Sequence, residues 1–105
     1  MRKIDEQTLD HIALGSTILG AGGGGDPYIG NLLAREQIRS HGPATLVELD
    51  SLKDDDMLCF IAIMGAPGVM VEKLPRAAEA IAAVRALEIR IGRQITHLAP
   101  IEAGG

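Results

Sequence analysis

The feature that most constrains the fold is a run of glycines, Gly20-Ala21-Gly22-Gly23-Gly24-Gly25, followed at once by Asp26-Pro27. Five glycines in six positions indicate a backbone that takes positive φ angles or approaches another group so closely that a Cβ would block it. A flexible linker would have polar flanks, whereas this run lies between Ile18-Leu19 and Tyr28-Ile29. We therefore predict a formed turn and interpret it as facing a ligand, with purely structural packing as the alternative.

The residues after the glycines predict a helix. Asp26 suits the N-cap, because its carboxylate can accept from free backbone N–H groups, and Pro27 suits the first helical position. Apolar spacing carries the helix to about Ser40, and Gly42-Pro43 ends it. Helix N-terminal N–H groups favour a negative charge or a carbonyl oxygen above the turn, but Asp26 already places a carboxylate there. The turn therefore suits a neutral polar group better than a triphosphate.

The rest of the chain alternates between helix and strand patterns. We predict a helix over 5–19 with Asp5 as N-cap and Gly20 as its stop, strands over 45–49, 57–64 and 95–101, and a helix from Pro75 to about Gly92. The segment 57–64 is continuously apolar, which is typical of a strand covered on both faces at the centre of a sheet. Because strand, helix and strand in that order imply a right-handed parallel crossover, we predict an α/β fold: a three-layer-like unit with a short, mainly parallel sheet and helices.

Composition excludes several classes of protein. At 105 residues the chain is at most one domain, 1–105. A net charge of −4 with scattered Lys and Arg argues against nucleic acid as a partner. The single cysteine, Cys59, excludes an internal disulfide and, without a signal peptide, predicts a cytoplasmic protein. No apolar stretch reaches the length of about 18 residues that would predict a membrane span.

Three glycine-bearing loops are expected to meet. In α/β sheets, ligands bind beyond the carboxyl ends of the strands. The turn Met64-Gly65-Ala66-Pro67-Gly68 and the segment Pro100–Gly105 both follow predicted strands. If the glycine turn folds over the same edge, the three loops surround one cleft.

Three motifs are spread over nearly the whole chain. They are Leu19 to Tyr28, Met64-Gly65-Ala66-Pro67 with the following Glu72-Lys73, and Glu102-Ala103-Gly104-Gly105. Together they resemble the N-terminal part of the S-methyl-thiohydantoin desulfurase family, a domain of unknown function related to hydantoinases and oxoprolinases. Members are several hundred residues long, so the resemblance implies that this chain is the first part of a longer subunit. It also implies hydrolysis of a five-membered cyclic amide or thioamide, with release of methanethiol from the S-methyl compound.

Such a hydrolysis needs an acid/base group and a stabiliser for the developing oxyanion. Glu102, beside two glycines at a strand end, is the acid/base candidate, and a surface carboxylate is the alternative. Cys59 lies in an apolar strand and is interpreted as a small buried hydrophobe. The expected substrate-binding residues are Gly22, Gly23, Gly24, Gly25, Asp26, Gly65, Ala66, Pro67, Gly104 and Gly105.

The expected partners are a cyclic amide substrate and the remainder of the same subunit, with a homo-oligomer also considered. No His-x-x-x-His, Cys-x-x-Cys or His/Asp cluster is present, so this segment alone is not expected to build a metal site. The cofactor is left open, with a metal site completed by the rest of the subunit as the alternative.

Two alternatives belong to other classes. The glycine run also matches the dinucleotide-binding pattern G-x-G-x-x-G, and Glu48 and Asp50 lie near where a ribose-binding acid is expected. However, the segment before the run looks like a helix, while that pattern requires a strand. The other alternative is a non-catalytic assembly domain, in which the glycines serve packing and apolar faces bind a subunit.

Overall fold

A computed structural model describes residues 1–23, 25–63 and 76–104. The chain divides into two compact units, a first unit of Met1–Leu52 with residues 102–104 and a second unit of Lys53–Ile101. In chain order the elements are β1 (Arg2–Ile4), α1 (Glu6–Gly20), α2 (Pro27–His41), β2 (Ala44–Leu46), a 3-10 turn (Leu49–Ser51), β3 (Leu58–Ile61), α3 (Ala77–Ile91) and β4 (His97–Pro100). This mixture of helices with short parallel and antiparallel sheets confirms the predicted α/β class.

Side-chain caps set the start of both helices of the first unit, as predicted. An Asp5 carboxylate oxygen accepts the Thr8 backbone N–H at 2.8 Å, and Asp26 accepts the Tyr28 N–H at 2.9 Å. Helix α2 has Pro27 in its first turn, and at its end the Gly42 N–H donates to the Ile38 carbonyl at 2.8 Å. Helix α1 runs one residue past the predicted end, through Gly20.

The strand predicted over 45–49 is shorter in the structure. Strand β2 pairs antiparallel with β1, from Arg2 opposite Leu46 to Ile4 opposite Ala44. Beyond it, the Glu48 carbonyl accepts from both the backbone N–H and the hydroxyl of Ser51, at 3.1 and 2.6 Å. Such local hydrogen bonds compete with a strand ladder, which explains the 3-10 turn that follows β2.

The first unit is built around α1. This helix contacts both α2 and β1. Its Leu9 side chain is the best-buried apolar group among the described residues, with 8% exposed. Helix α1 therefore joins α2 and the β1–β2 ribbon within this unit.

The second unit contains a parallel pair of strands, as the predicted crossover requires. Strands β3 and β4 pair in register from Leu58 opposite His97 to Ile61 opposite Pro100. The prediction that the first of these strands is covered on both faces is wrong for Phe60, whose side chain is 64% exposed. Among the described strands, β3 has one neighbour, so it lies at an edge rather than at a centre.

Helix α3 connects the two parallel strands and ends as predicted. Gly92 has a φ of 67°, and its N–H donates to the Glu88 carbonyl at 2.9 Å. Pro75, the predicted first residue of this helix, lies outside the described residues. Among the apolar side chains that recur at helical spacing along α3, Ala77, Ala80 and Val84 are half-buried, whereas Ile81, Leu87 and Ile91 are exposed. None of the helices in the described parts of the chain is both long and apolar enough to cross a bilayer.

Candidate functional site

The glycine turn is a formed turn at the end of α1. The Gly23 N–H donates to the Gly20 carbonyl at 2.8 Å. Ala21, Gly22 and Gly25 have φ angles of 48°, 79° and 87°, in the left-handed region that glycine adopts without strain. Gly22 and Gly25 thus have the backbone angles for which a glycine-rich turn was predicted, while Ala21 takes such an angle despite its Cβ.

Asp26 lies between this turn and α2. Its carboxylate is occupied by capping the helix, through the Tyr28 N–H. The first turn of α2 therefore already has a negative charge beside its N–H groups, which disfavours a second one. That a group bound at the turn is neutral stays a prediction.

Residues 102–104 of the last motif belong to the first unit, with the glycine turn. A Cβ placed on Gly20 would lie 3.9 Å from the Gly25 carbonyl oxygen and 4.0 Å from the Gly104 backbone nitrogen. Gly104 is buried, whereas Glu102 is exposed. Since consecutive Cα atoms are about 3.8 Å apart, the Glu102 Cα lies at most about 7.6 Å from that of Gly104. The structure therefore brings the Gly104 backbone close to Gly20, while the role of Glu102, two residues earlier in the chain, stays a prediction.

Several residues of the predicted site lie outside the described residues. These are Gly24, Gly65, Ala66, Pro67 and Gly105, together with the Glu72-Lys73 pair.

A groove between α1 and α2, which sequence reasoning did not identify, begins directly after the glycine turn. Its volume is about 400 Å³, which is within the range of small-molecule sites. Ala13, Leu14 and Leu32 supply apolar walls. The polar side chains along it are those of Asp10, Thr17, Asp26, Tyr28, Asn31 and Arg35.

A network of charged side chains joins α1 to α2 at one end of this groove. Arg35 donates from Nη1 to Glu6 at 2.9 Å and from Nη2 to Asp10. Arg39 donates to both carboxylate oxygens of Glu6, at 3.0 and 2.8 Å. Hydrogen bonds from Arg39 first, and from Arg35 second, hold the pKa of the Glu6 carboxyl below its ordinary value of 4.5.

Asn31 lies beside this network with loosely held hydrogen bonds. Its Nδ2 donates to Asp10 and its Oδ1 accepts from Arg35, each at 3.5 Å. These distances are at the outer limit for a hydrogen bond. A sequence feature could have revealed the network. The acids Glu6 and Asp10 are four residues apart on α1, and Asn31, Arg35 and Arg39 follow at the same spacing on α2.

The second unit has a groove of about 310 Å³ between α3 and the strands. Glu88 lines it and accepts from Arg85 Nη1 at 2.7 Å and from the Ile95 N–H at 2.8 Å. The Arg85 guanidinium, and then the Ile95 amide, hold the pKa of Glu88 below its ordinary value. These two contacts of Glu88 connect the end of α3 to the segment before β4. Next to this segment, His97 Nδ1 lies 2.8 Å from the Thr96 hydroxyl and 4.0 Å from Asp56.

The metal-ligating residue types and the single cysteine were also considered in the sequence. In residues 1–23, 25–63 and 76–104, no cluster of three His, Cys, Asp or Glu side chains could hold a metal ion. Cys59 is a free thiol of intermediate exposure.

Comparison with known proteins gives one result. A search of curated proteins and a search of solved structures each found no match to the chain. The model of the S-Me-THD-like family, N-terminal domain, matches residues 7–105. This match covers all three motifs and almost the whole sequence. The chain therefore belongs to the S-Me-THD-like family and corresponds to its N-terminal domain.

Proposed function

We propose that this chain is the N-terminal part of a hydrolase that acts on a five-membered cyclic amide or thioamide, such as S-methyl-thiohydantoin. The proposal rests on family membership and on one observation, the close approach of Gly104 to Gly20 beside the left-handed Gly22 and Gly25. Backbone this free of side chains can approach a flat ring closely.

The reaction needs few groups. Water adds to the ring carbon that carries the methylthio group, and the oxygen becomes negatively charged as the tetrahedral intermediate forms. The carbon–sulfur bond then breaks. One proton of the water ends on the ring nitrogen and the other on sulfur, so the products are a cyclic carbonyl compound and methanethiol. In this proposal, N–H groups of the glycine turn donate to the oxygen at the stage when its charge develops.

Glu102 is assigned the proton transfers in this proposal. It is exposed, so water can reach its carboxylate, and it is two residues from Gly104, whose backbone packs against Gly20. As base, it would take a proton from the attacking water. As acid, it would return that proton to the departing sulfur.

The test is release of methanethiol by the complete protein supplied with S-methyl-thiohydantoin, measured with a thiol reagent, with the ring product identified by mass spectrometry. Glu102→Gln should lower kcat by about a hundredfold or more, in the range for loss of a general acid/base. Glu48→Gln, which changes an exposed carboxylate in the same unit, is the matched control and should retain activity. Absence of methanethiol, or full activity of Glu102→Gln, would contradict the proposal or this assignment, respectively.

The elements around the glycine run do not fit a dinucleotide-binding turn. Helix α1, rather than a strand, leads into the glycines, and β2 pairs antiparallel with β1. A dinucleotide-binding turn needs a parallel strand before it. We therefore do not propose dinucleotide binding.

An assembly role is the second candidate, and exposed apolar side chains favour it. Ile18, Leu19 and Ile89 are 70%, 80% and 84% exposed. We propose that the remainder of the subunit, or a second copy, covers such side chains in the assembled protein. Sedimentation at several concentrations tests this role. Association that rises with concentration, while cyclic amides leave the melting temperature unchanged, would favour assembly over hydrolysis.

A further inference from the structure

The backbone of β3 presents hydrogen-bonding groups on the side away from β4. Backbone N–H groups of β4 and of the residue after it donate to the Met57 and Ile61 carbonyls, at 3.2 and 3.3 Å. Because backbone groups point alternately to the two sides along a strand, those of Leu58 and Phe60 point away from β4. Leu58 and Phe60 therefore place their N–H donors and carbonyl acceptors along the outer edge of β3.

This outer edge lacks the features that usually prevent a strand from pairing with another chain. Edge strands commonly carry proline or charged side chains. Strand β4 does so, because Pro100 lies on its outer edge and has no N–H. Residues 57–64 contain neither a proline nor a charge, and the Phe60 side chain is 64% exposed.

Within the described parts of the chain, one contact reaches the outward groups of β3. Cys59 Sγ lies 3.3 Å from the Phe60 carbonyl oxygen. A thiol is a weak donor, and a carbonyl oxygen has a second lone pair. The edge therefore keeps its capacity to bond another strand.

A second copy of β3 complements this edge. In an antiparallel pair with Cys59 opposite Cys59, Leu58 of each copy lies opposite Phe60 of the other. Each outward N–H then meets an outward carbonyl, and the exposed Phe60 ring lies beside a leucine. The acidic run Asp54-Asp55-Asp56 precedes β3. Antiparallel pairing separates the two acidic runs, whereas parallel pairing would place like charges side by side.

We propose that β3 is a dimer interface, which pairs antiparallel with β3 of a second copy about a two-fold axis at Cys59. Because Pro100 limits the outer edge of β4, the sheet ends after β4 of each copy and does not grow further. The interface is small, so association should be reversible and depend on concentration. This inference rests on the assembly role proposed above, to which it gives a surface and a partner, and is independent of the proposed hydrolysis.

The first test is residue-resolved amide exchange of the complete, unchanged protein between about 10 μM and about 1 mM, with sedimentation at the same concentrations. The N–H groups of Cys59 and Ile61 face β4 and should be protected throughout. Those of Leu58 and Phe60 should exchange rapidly in the monomer and at least about tenfold more slowly as the dimer forms. Rapid exchange of both at every concentration would overturn the proposal. Protection of both in a protein that sediments as a monomer would also overturn it, since another segment of the same chain would then cover this edge.

The second test uses Cys59 as a reporter and a matched pair of variants. In the proposed register the two Cys59 Cα atoms are about 4.5 Å apart, within the range for a disulfide. A mild thiol oxidant should therefore link Cys59 to Cys59, which mass spectrometry detects as a peptide joined to its own copy. Phe60→Pro removes an outward N–H and leaves the bonds to β4, whereas Phe60→Ala removes the same ring and keeps the N–H.

The yield of this disulfide should be at least about tenfold lower for Phe60→Pro than for Phe60→Ala, because the proline variant loses backbone bonds between the copies. Circular dichroism melting checks that both variants fold, and the exchange test needs no variant. Equal yields from the two folded variants would contradict backbone pairing at this edge.

The separate proposals fail in different ways. If association rises with concentration while Leu58 and Phe60 keep the exchange rates of the monomer, the assembly role stands and this interface is wrong. If the edge becomes protected as the dimer forms but no methanethiol is released from the S-methyl compound, this interface stands and the proposed hydrolysis does not.

Discussion

Neighbouring glycines in the turn are under different constraints. Gly22 has a φ of 79°, and a Cβ there would meet no atom within 4 Å. An alanine at this position has room but must adopt a left-handed backbone angle, which costs an L-residue about 1–2 kcal/mol. We expect Gly22→Ala to lower the free energy of unfolding by about 1 kcal/mol, measured by denaturant titration.

Gly23 is the matched comparison for this prediction. Its φ is outside the left-handed range, and a Cβ there would lie 3.7 Å from the Gly20 carbonyl oxygen, an ordinary contact. Gly23→Ala should leave the free energy of unfolding within about 0.5 kcal/mol of the unchanged protein, or raise it slightly by restricting the unfolded chain. Equal losses at Gly22 and Gly23 would show that space, not backbone angle, limits this turn.

At the scale of elements, the network between α1 and α2 predicts a dependence of stability on pH. The pKa of Glu6 is lowered in the folded state by Arg39 and Arg35. A lowered pKa means that the unfolded state binds the proton more tightly. The stabilisation is therefore fully present above about pH 5, and is lost as the pH falls through 4.5 and on through the folded pKa. Urea titrations from about pH 7 down to about pH 3 should show this fall.

Glu6→Gln identifies the part of this fall that Glu6 contributes. Asp5 and Glu88 also have lowered pKa values, so the unchanged protein will lose stability in acid from several sources. The Gln variant should be less stable than the unchanged protein at about pH 7, and the difference should shrink at about pH 3. Glu48→Gln should show no such pH-dependent difference. A constant gap between Glu6→Gln and the unchanged protein would mean that lost packing, not charge, causes the effect.

Helix ends can be predicted because their causes are local. Asp5, Asp26 and Gly92 act on backbone groups within a few residues, so they are visible in sequence. Strand β1 was not predicted, because three residues with two charged side chains carry no pattern, and its partner strand β2 is distant along the chain. The exposure of Phe60 was also missed, since a continuous apolar run does not reveal how many neighbours a strand has.

The path of the whole chain explains how much of the candidate site the sequence revealed. The chain leaves the first unit after Leu52 and returns to it at Glu102. Glycine motifs mark both the turn and the returning segment, so their residues can be identified from the sequence alone. The groove residues Asp10 and Asn31 come from different helices. Their meeting depends on how α1 packs on α2, which no single motif encodes.

The returning segment packs against Gly20, and this predicts a limit on the size of the side chain at that position. A Cβ there would make contacts of 3.9 and 4.0 Å with Gly25 and Gly104, so Gly20→Ala should fold normally. The additional methyl groups of valine would come too close to these backbone atoms, so Gly20→Val should cost about 1–3 kcal/mol.

Gly15→Val controls for the effect of valine in α1, because a Cβ on Gly15 would meet no atom within 4 Å. The loss in unfolding free energy should be larger at Gly20 than at Gly15, and amide exchange should rise in residues 102–104 only for Gly20→Val. Equal losses, with unchanged exchange, would mean that the segment carrying Glu102 is held by other contacts. In that case glycine at position 20 would be required only by the turn itself. The packing of Gly104 against Gly20 would then no longer support the proposed position of Glu102.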